Sequence, residues 1–151
     1  MIAVGDVLPD FELKNQNGET VKLSDFKGKK VLLSFHPLAF TPVCADQMKE
    51  LDSRMDDFEK LSTVPLGFSV DQSFSKNAWA KFLDLKKLQL LADFWPQGGY
   101  AQKLELFREK DGFSERANII ADENKKVIFV KIYPIHDLPD FQEILDFLRK
   151  K

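Results

Sequence analysis

The sequence predicts an α/β fold, a central mixed β-sheet flanked by helices and preceded by an N-terminal β-hairpin. Three observations carry this expectation. The near-continuous apolar runs Val31-Leu32-Leu33-Ser34-Phe35 and Pro65-Leu66-Gly67-Phe68-Ser69-Val70 have the composition of strands buried on both faces. A segment with apolar residues at three- and four-residue spacing separates them, as a crossover between parallel strands requires. Late in the chain, residues 116–120 and 126–132 flank the turn residues Asp122-Glu123-Asn124 and read as an antiparallel hairpin.

The elements follow in order. Phe11-Glu12-Leu13-Lys14 and Thr20-Val21-Lys22-Leu23 alternate in polarity around Asn15-Gln16-Asn17-Gly18, which supplies turn chemistry for the first hairpin. After the strand at 31–35, Thr41 is placed to N-cap a helix and Pro42 suits its first position. Met48, Leu51, Met55 and Phe58 then recur at helical spacing. The strand at 65–70 leads to a helix from Ser73 to about Leu85 that carries Phe74, Ala78 and Phe82, and Gly98-Gly99 precedes a short helical piece near residues 100–106. A final helix is expected from Asp137 as N-cap, with Leu138, Phe141, Ile144, Leu145 and Leu148 on one face. This order is the thioredoxin-like arrangement; a flavodoxin-like sheet, the second choice, would need further βα units in place of the late hairpin.

Composition bounds the function. The 151 residues are expected to form one domain, residues 1–151, with enough surface to bury that no disulfide or metal staple is required. With 22 basic and 24 acidic side chains the net charge is -2, which argues against a nucleic-acid or anionic-membrane binder. Fourteen Phe against two Tyr and two Trp suggests dry, phenylalanine-rich packing. A single cysteine excludes an internal disulfide and a Cys-rich zinc site, and together with an N-terminus lacking signal-peptide character it points to the cytoplasm.

The position of that cysteine is informative. With Thr41 as cap, Pro42 is N1, Val43 is N2 and Cys44 is N3. Unpaired backbone N–H groups and the positive end of the helix dipole meet there, and both favour a thiolate. Against this stands the plain reading of a lone Cys as a small buried hydrophobe. No glycine-rich phosphate loop, Cys-x-x-Cys, His-x-x-x-His or serine elbow competes, and no cofactor or metal set is read from the chain.

Pro37-Leu38-Ala39-Phe40-Thr41-Pro42-Val43-Cys44 matches the Pro-x-x-x-Thr-x-x-Cys signature of the peroxiredoxins, thiol peroxidases on a thioredoxin fold. The resemblance continues through Ser69-Val70-Asp71, Trp79-Ala80, Asp93-Phe94-Trp95-Pro96 and Arg116-Ala117-Asn118-Ile119-Ile120, and is greatest to the one-cysteine group of alkyl hydroperoxide reductase E. It implies that Cys44 attacks a peroxide and becomes a sulfenic acid. It also implies that Pro37 covers the sulfur, that Thr41 directs its hydroxyl at sulfur and peroxide, and that Arg116 holds both. Substrates of the group are hydrogen peroxide, alkyl hydroperoxides or peroxynitrite. Lys49 stands where some members carry a resolving Cys, so the expected reductant is an external thiol: a low-molecular-weight thiol or a thioredoxin- or glutaredoxin-like protein. A homodimer is the family expectation, with Phe40, Phe94 and Trp95 as apolar contributors to the interface or to the pocket.

Two positions depart from the family pattern. His36 replaces a frequent aromatic residue and reads either as a base beside Cys44 or, preferably, as a packed histidine. Gln47 stands where many members have Glu, which puts the orientation of Arg116 in question. His136 and the Met48/Met55 pair are assigned no functional role. The competing functions are a non-enzymatic thioredoxin-like redox-sensing or binding module and, less well supported, a general thiol-disulfide reductase.

Overall fold

The computed structural model describes all residues, Met1–Lys151. Strands β1 (Glu12–Asn15) and β2 (Thr20–Lys22) form the predicted hairpin, with Leu13 opposite Val21. β3 (Lys30–Phe35) leads into α1 (Pro42–Ser53) and α2 (Met55–Lys60), and β4 (Thr63–Ser69) into α3 (Ser73–Phe82). Then come β5 (Gln89–Ala92), α4 (Gly99–Lys103), and the short pair β6 (Phe107–Arg108) and β7 (Phe113–Ser114). β8 (Arg116–Ala121), β9 (Val127–Tyr133) and α5 (Phe141–Arg149) close the chain.

Seven strands make the main sheet in the order β2-β1-β5-β4-β3-β8-β9. β3, β4 and β5 run parallel, while β8 pairs antiparallel with β3, and β1 with β5. Alternation along β3 divides the interior. Val31, Leu33 and Phe35 belong to the layer that holds α4, whereas Leu32 lies in the layer packed by α1, α2, α3 and α5. Each large apolar side chain fully buried in these layers contributes about 1.5–3 kcal/mol relative to exposure. Helices on both faces of a mixed sheet are the thioredoxin-like architecture read from the sequence.

Four expectations need correction. The long helix at 42–58 is two helices that step at Arg54. α3 ends at Phe82, and it buries Lys76, Trp79 and Ala80 while Phe74 and Phe82 stay 82% and 76% exposed. Four-residue spacing of 74, 78 and 82 marks one stripe of the helix, but the larger Trp79 takes the core. The N-cap of α5 is Asp140, whose carboxylate accepts from Gln142 N–H at 2.9 Å. A helix begun at Asp137 would place Leu138 in helical geometry immediately before Pro139, which the proline ring disfavours. Leu138 is accordingly half exposed outside the helix. Finally, β5, β6 and β7 are absent from the predicted order; each is too short to produce a polarity pattern.

Candidate active site around Cys44

β3 delivers the chain to the site. His36 N–H still donates to Phe68 O at 2.9 Å, and Pro37, which has no N–H to continue the ladder, turns the backbone out of the sheet. Strand ends of this kind are where open α/β sheets place their ligands. Pro37 is buried, and residues 37–41 form a loop ahead of α1. Two bonds fix it: Ala39 N–H donates to Asp71 Oδ2 at 2.8 Å, and Thr41 Oγ1 donates to Leu38 O at 2.8 Å. Between them Phe40 has φ +64°, a left-handed conformation unusual for a bulky residue.

Thr41 occupies the N-cap position, but its side chain caps no N–H of the helix. Its hydroxyl proton goes back to the loop instead, which corrects the reading of Thr41 as a side-chain cap. No side chain therefore caps the N–H groups of Val43 and Cys44, and the first turn that carries the sulfur keeps the partial positive charge of a helix N-terminus.

Cys44 is fully buried, among Ala39, Met48, Trp79 and the rest of the α1/α3/α5 core layer. Arg116, at the start of β8 and 2% exposed, places Nη1 3.3 Å from Cys44 Sγ. The same Nη1 donates to Gln47 Oε1 at 2.7 Å, and Nε donates to Ile135 O at 2.9 Å. Gln47 donates through Nε2 to Ser34 Oγ and Phe35 O. The site thus unites Cys44, Thr41 and Arg116 around the turn that follows Pro37. The guanidinium of Arg116 contacts the thiol, at a helix start whose first N–H groups have no capping side chain.

His36 is buried against Trp79, with ring centroids 5.2 Å apart, and neither ring nitrogen has a hydrogen-bond partner in the chain. Burial holds its imidazole well below the usual value, and the positive charges of Lys76 and Arg116 push the same way. It is the packed, neutral histidine of the preferred reading. Phe40, Phe94 and Trp95 are 56%, 46% and 81% exposed. A groove of about 940 Å³, lined by residues including Asp10, Phe11, Trp95 and Tyr100, does not include Cys44. Sequence reasoning missed Lys76, which lies fully buried on α3 behind the site. Its only signal was a lysine three residues before Trp79, on the face of α3 that carries the tryptophan.

A thioredoxin-like sheet with a buried thiol in the first turn of the helix after a central strand defines a class of thiol-based redox proteins. The profile of the AhpC/TSA family matches residues 4–130. Alkyl hydroperoxide reductase E of Mycobacterium tuberculosis is 34% identical over 133 residues, covering 87% of this chain and 86% of that protein. Among solved structures, the reduced 2-Cys peroxiredoxin of Plasmodium vivax aligns with a TM-score of 0.90 and 28% identity, covering 99% of this chain and 81% of that one. Peroxidoxin BcpB from Mycobacterium tuberculosis aligns with a TM-score of 0.87 and 25% identity, covering 99% and 98%. The chain belongs to the AhpC/TSA family, the peroxiredoxins, and is an enzyme of the thiol-peroxidase class. The family read from the motif at 37–44 is borne out.

Proposed function

We propose that the chain, acting as one domain, reduces hydrogen peroxide, alkyl hydroperoxides or peroxynitrite by a one-cysteine mechanism centred on Cys44. The thiolate attacks one peroxide oxygen and the O–O bond breaks; the departing hydroxide or alkoxide takes up a proton as water or alcohol, and peroxynitrite releases nitrite. The sulfur is left as a sulfenic acid. An external thiol then attacks that sulfur, releases water and forms a mixed disulfide, which a second thiol reduces. The chain has one cysteine, so both reducing equivalents come from outside it.

The observation that carries this reading is the 3.3 Å contact of Arg116 Nη1 with Cys44 Sγ at the first turn of α1. In that position one guanidinium reaches both the attacking sulfur and the oxygens between which charge moves. A preorganised donor of this kind, in a site closed to water, is worth about 3 kcal/mol to the transition state. Thr41 Oγ1 commits its proton to Leu38 O, so it acts as acceptor to the hydroxyl of an incoming hydroperoxide and orients it. Pro37 keeps water from the sulfur. The family pattern adds a homodimer, to which the exposed Phe40 would contribute, and the single cysteine favours the cytoplasm.

The test adds one equivalent of hydrogen peroxide to the reduced protein and follows tryptophan fluorescence together with mass. Trp79 shares the apolar layer of Cys44 and reports the change. A fast phase with one oxygen gained on Cys44, absent in Cys44→Ser, is expected. A rate equal to that of free cysteine would overturn the mechanism.

A further inference from the structure

Lys76 has no part in the chemistry above, yet its ammonium is entirely buried on α3. Burial of a charge is costly unless bonds and counter-charges compensate it, so its partners are informative. Nζ donates to Ser69 Oγ at 2.7 Å, and Ser69 Oγ donates to Asp71 Oδ2 at 2.6 Å. The same Oδ2 accepts from Ala39 N–H at 2.8 Å. Three consecutive hydrogen bonds therefore run from a buried cation to the backbone of the loop that leads into Cys44. Phe40, the next residue, holds the left-handed φ of +64°, a conformation that persists only where the surroundings impose it.

We propose that Lys76 is a positioning residue of the Cys44 pocket: its ammonium, acting through Ser69 and Asp71, holds the strained loop at Ala39–Phe40–Thr41, and loss of its proton loosens that loop and slows the reaction of Cys44. With the proton on, the negative charge of Asp71 is compensated across the Ser69 hydroxyl, and Asp71 is free to hold Ala39. With the proton off, a partly buried carboxylate loses its counter-charge and the Cys44 pocket loses a cation. The kinetic half of this proposal rests on the peroxidase reading; the structural half does not.

The titratable groups facing Lys76 are Asp71 after β4, Asp93 after β5 and Cys44 on α1, with the neutral His36 ring at the end of β3, which also feels the positive charge of Arg116 on β8. Burial lowers the Lys76 ammonium to about 8, while Asp71, Asp93 and Cys44 oppose that fall. The proton is therefore lost in a mildly alkaline range where an exposed lysine keeps its own.

Two measurements on the full chain and on Lys76→Met decide the matter, with Ser69→Ala as a second variant that cuts the relay but keeps the cation. The first is the Ala39 amide resonance, followed by NMR from pH 6 to 10. In the wild type it is expected to shift with a midpoint near 8, and the step is expected to vanish in both variants. The second is the rate of Cys44 with hydrogen peroxide divided by its rate with iodoacetamide, a ratio that cancels the thiolate fraction. In the wild type this ratio is expected to fall roughly ten-fold across the same step, a loss of the size that misplaced reacting groups bring. In Lys76→Met it starts low and stays flat. An Ala39 step that persists in Lys76→Met, or is missing from the wild type, overturns the proposal. Failure of the peroxidase reading shows separately, as wild-type Cys44 reacting no faster than free cysteine, and the Ala39 measurement still decides the role of Lys76.

Discussion

Arg116 and Gln47 are joined by a 2.7 Å hydrogen bond from Nη1 to Oε1, and that bond fixes which guanidinium nitrogen faces the sulfur of Cys44. The bond to Ile135 O holds the opposite edge of the guanidinium through Nε. A neutral amide orients the arginine without cancelling its charge, so the full cation remains available to sulfur and peroxide. With Gln47 in place of a carboxylate, the arginine is still held at both edges.

The same amide gives the first prediction. Gln47 Nε2 donates to both Ser34 Oγ and Phe35 O inside the core. In Gln47→Glu the Ser34 hydroxyl can turn to donate to the carboxylate, but Phe35 O loses its donor and meets another oxygen lone pair. A loss of about 1–3 kcal/mol is expected from leaving that buried carbonyl unpaired. Urea unfolding measures it, and an unchanged midpoint would show that the amide donors contribute nothing.

Arg116→Ala separates charge stabilisation from simple ionisation. Full ionisation of an ordinary thiol at neutral pH gains at most about 30-fold in reactive species. Loss of a preorganised donor costs about 3 kcal/mol, or roughly 100-fold and more. Stopped-flow oxidation by hydrogen peroxide, compared at a pH where both proteins are fully ionised, should therefore still show the variant about two orders of magnitude slower. Arg116→Lys should recover little, because an ammonium cannot span Sγ, Gln47 Oε1 and Ile135 O as the guanidinium fork does. Equal rates at that pH would remove Arg116 from the chemistry.

The two long apolar runs, the late hairpin and the position of Cys44 at N3 were all legible in the sequence, because each is encoded locally by periodicity or by a cap. So was the motif that carries the family. Three things were not. The contact of Arg116 with Cys44 spans 72 residues and is made by strand pairing of β3 with β8; the sequence offered it only through resemblance. β5 has four residues, all at least half buried, and shows no alternation to read. The buried face of α3 was misjudged because Phe74 and Phe82 outweigh Lys76 in any hydrophobicity pattern, whereas the packing of Trp79 decides which side faces the sheet.

Thr41 tests the loop and the substrate together. Its hydroxyl holds Leu38 O at 2.8 Å, and removal in Thr41→Val frees that carbonyl and takes away the acceptor for the incoming hydroperoxide. A stability loss of about 1 kcal/mol is expected from the lost bond. The fall in peroxide rate should be larger, at least about ten-fold, since general orientation effects of this kind exceed one hydrogen bond. Thr41→Ser should restore most of both. A stability loss with an unaltered rate would make Thr41 a purely structural residue.

His36 makes a prediction about acid. Burial, then the charges of Lys76 and Arg116, hold its imidazole well below the usual value, so the folded chain keeps it neutral. In the unfolded chain it takes a proton at about 6.5. Between the lowered folded value and about 6.5 the unfolded state binds the extra proton, so stability rises with pH through this window and is lost as the solution is acidified. The slope reaches about 1.4 kcal/mol per pH unit for one such group. His36→Phe deletes the group, along with two buried nitrogens that have no partner. The stability difference between the wild type and the variant, taken by urea unfolding at several values from pH 7.5 to pH 5, should then move steadily in favour of the variant as pH falls. Any fixed packing cost of the larger ring cancels from that slope, and the other titrating groups are common to both proteins. A difference independent of pH would mean that His36 takes up its proton as readily in the fold as in the unfolded chain, and a difference that moves the opposite way would mean that the fold holds it protonated.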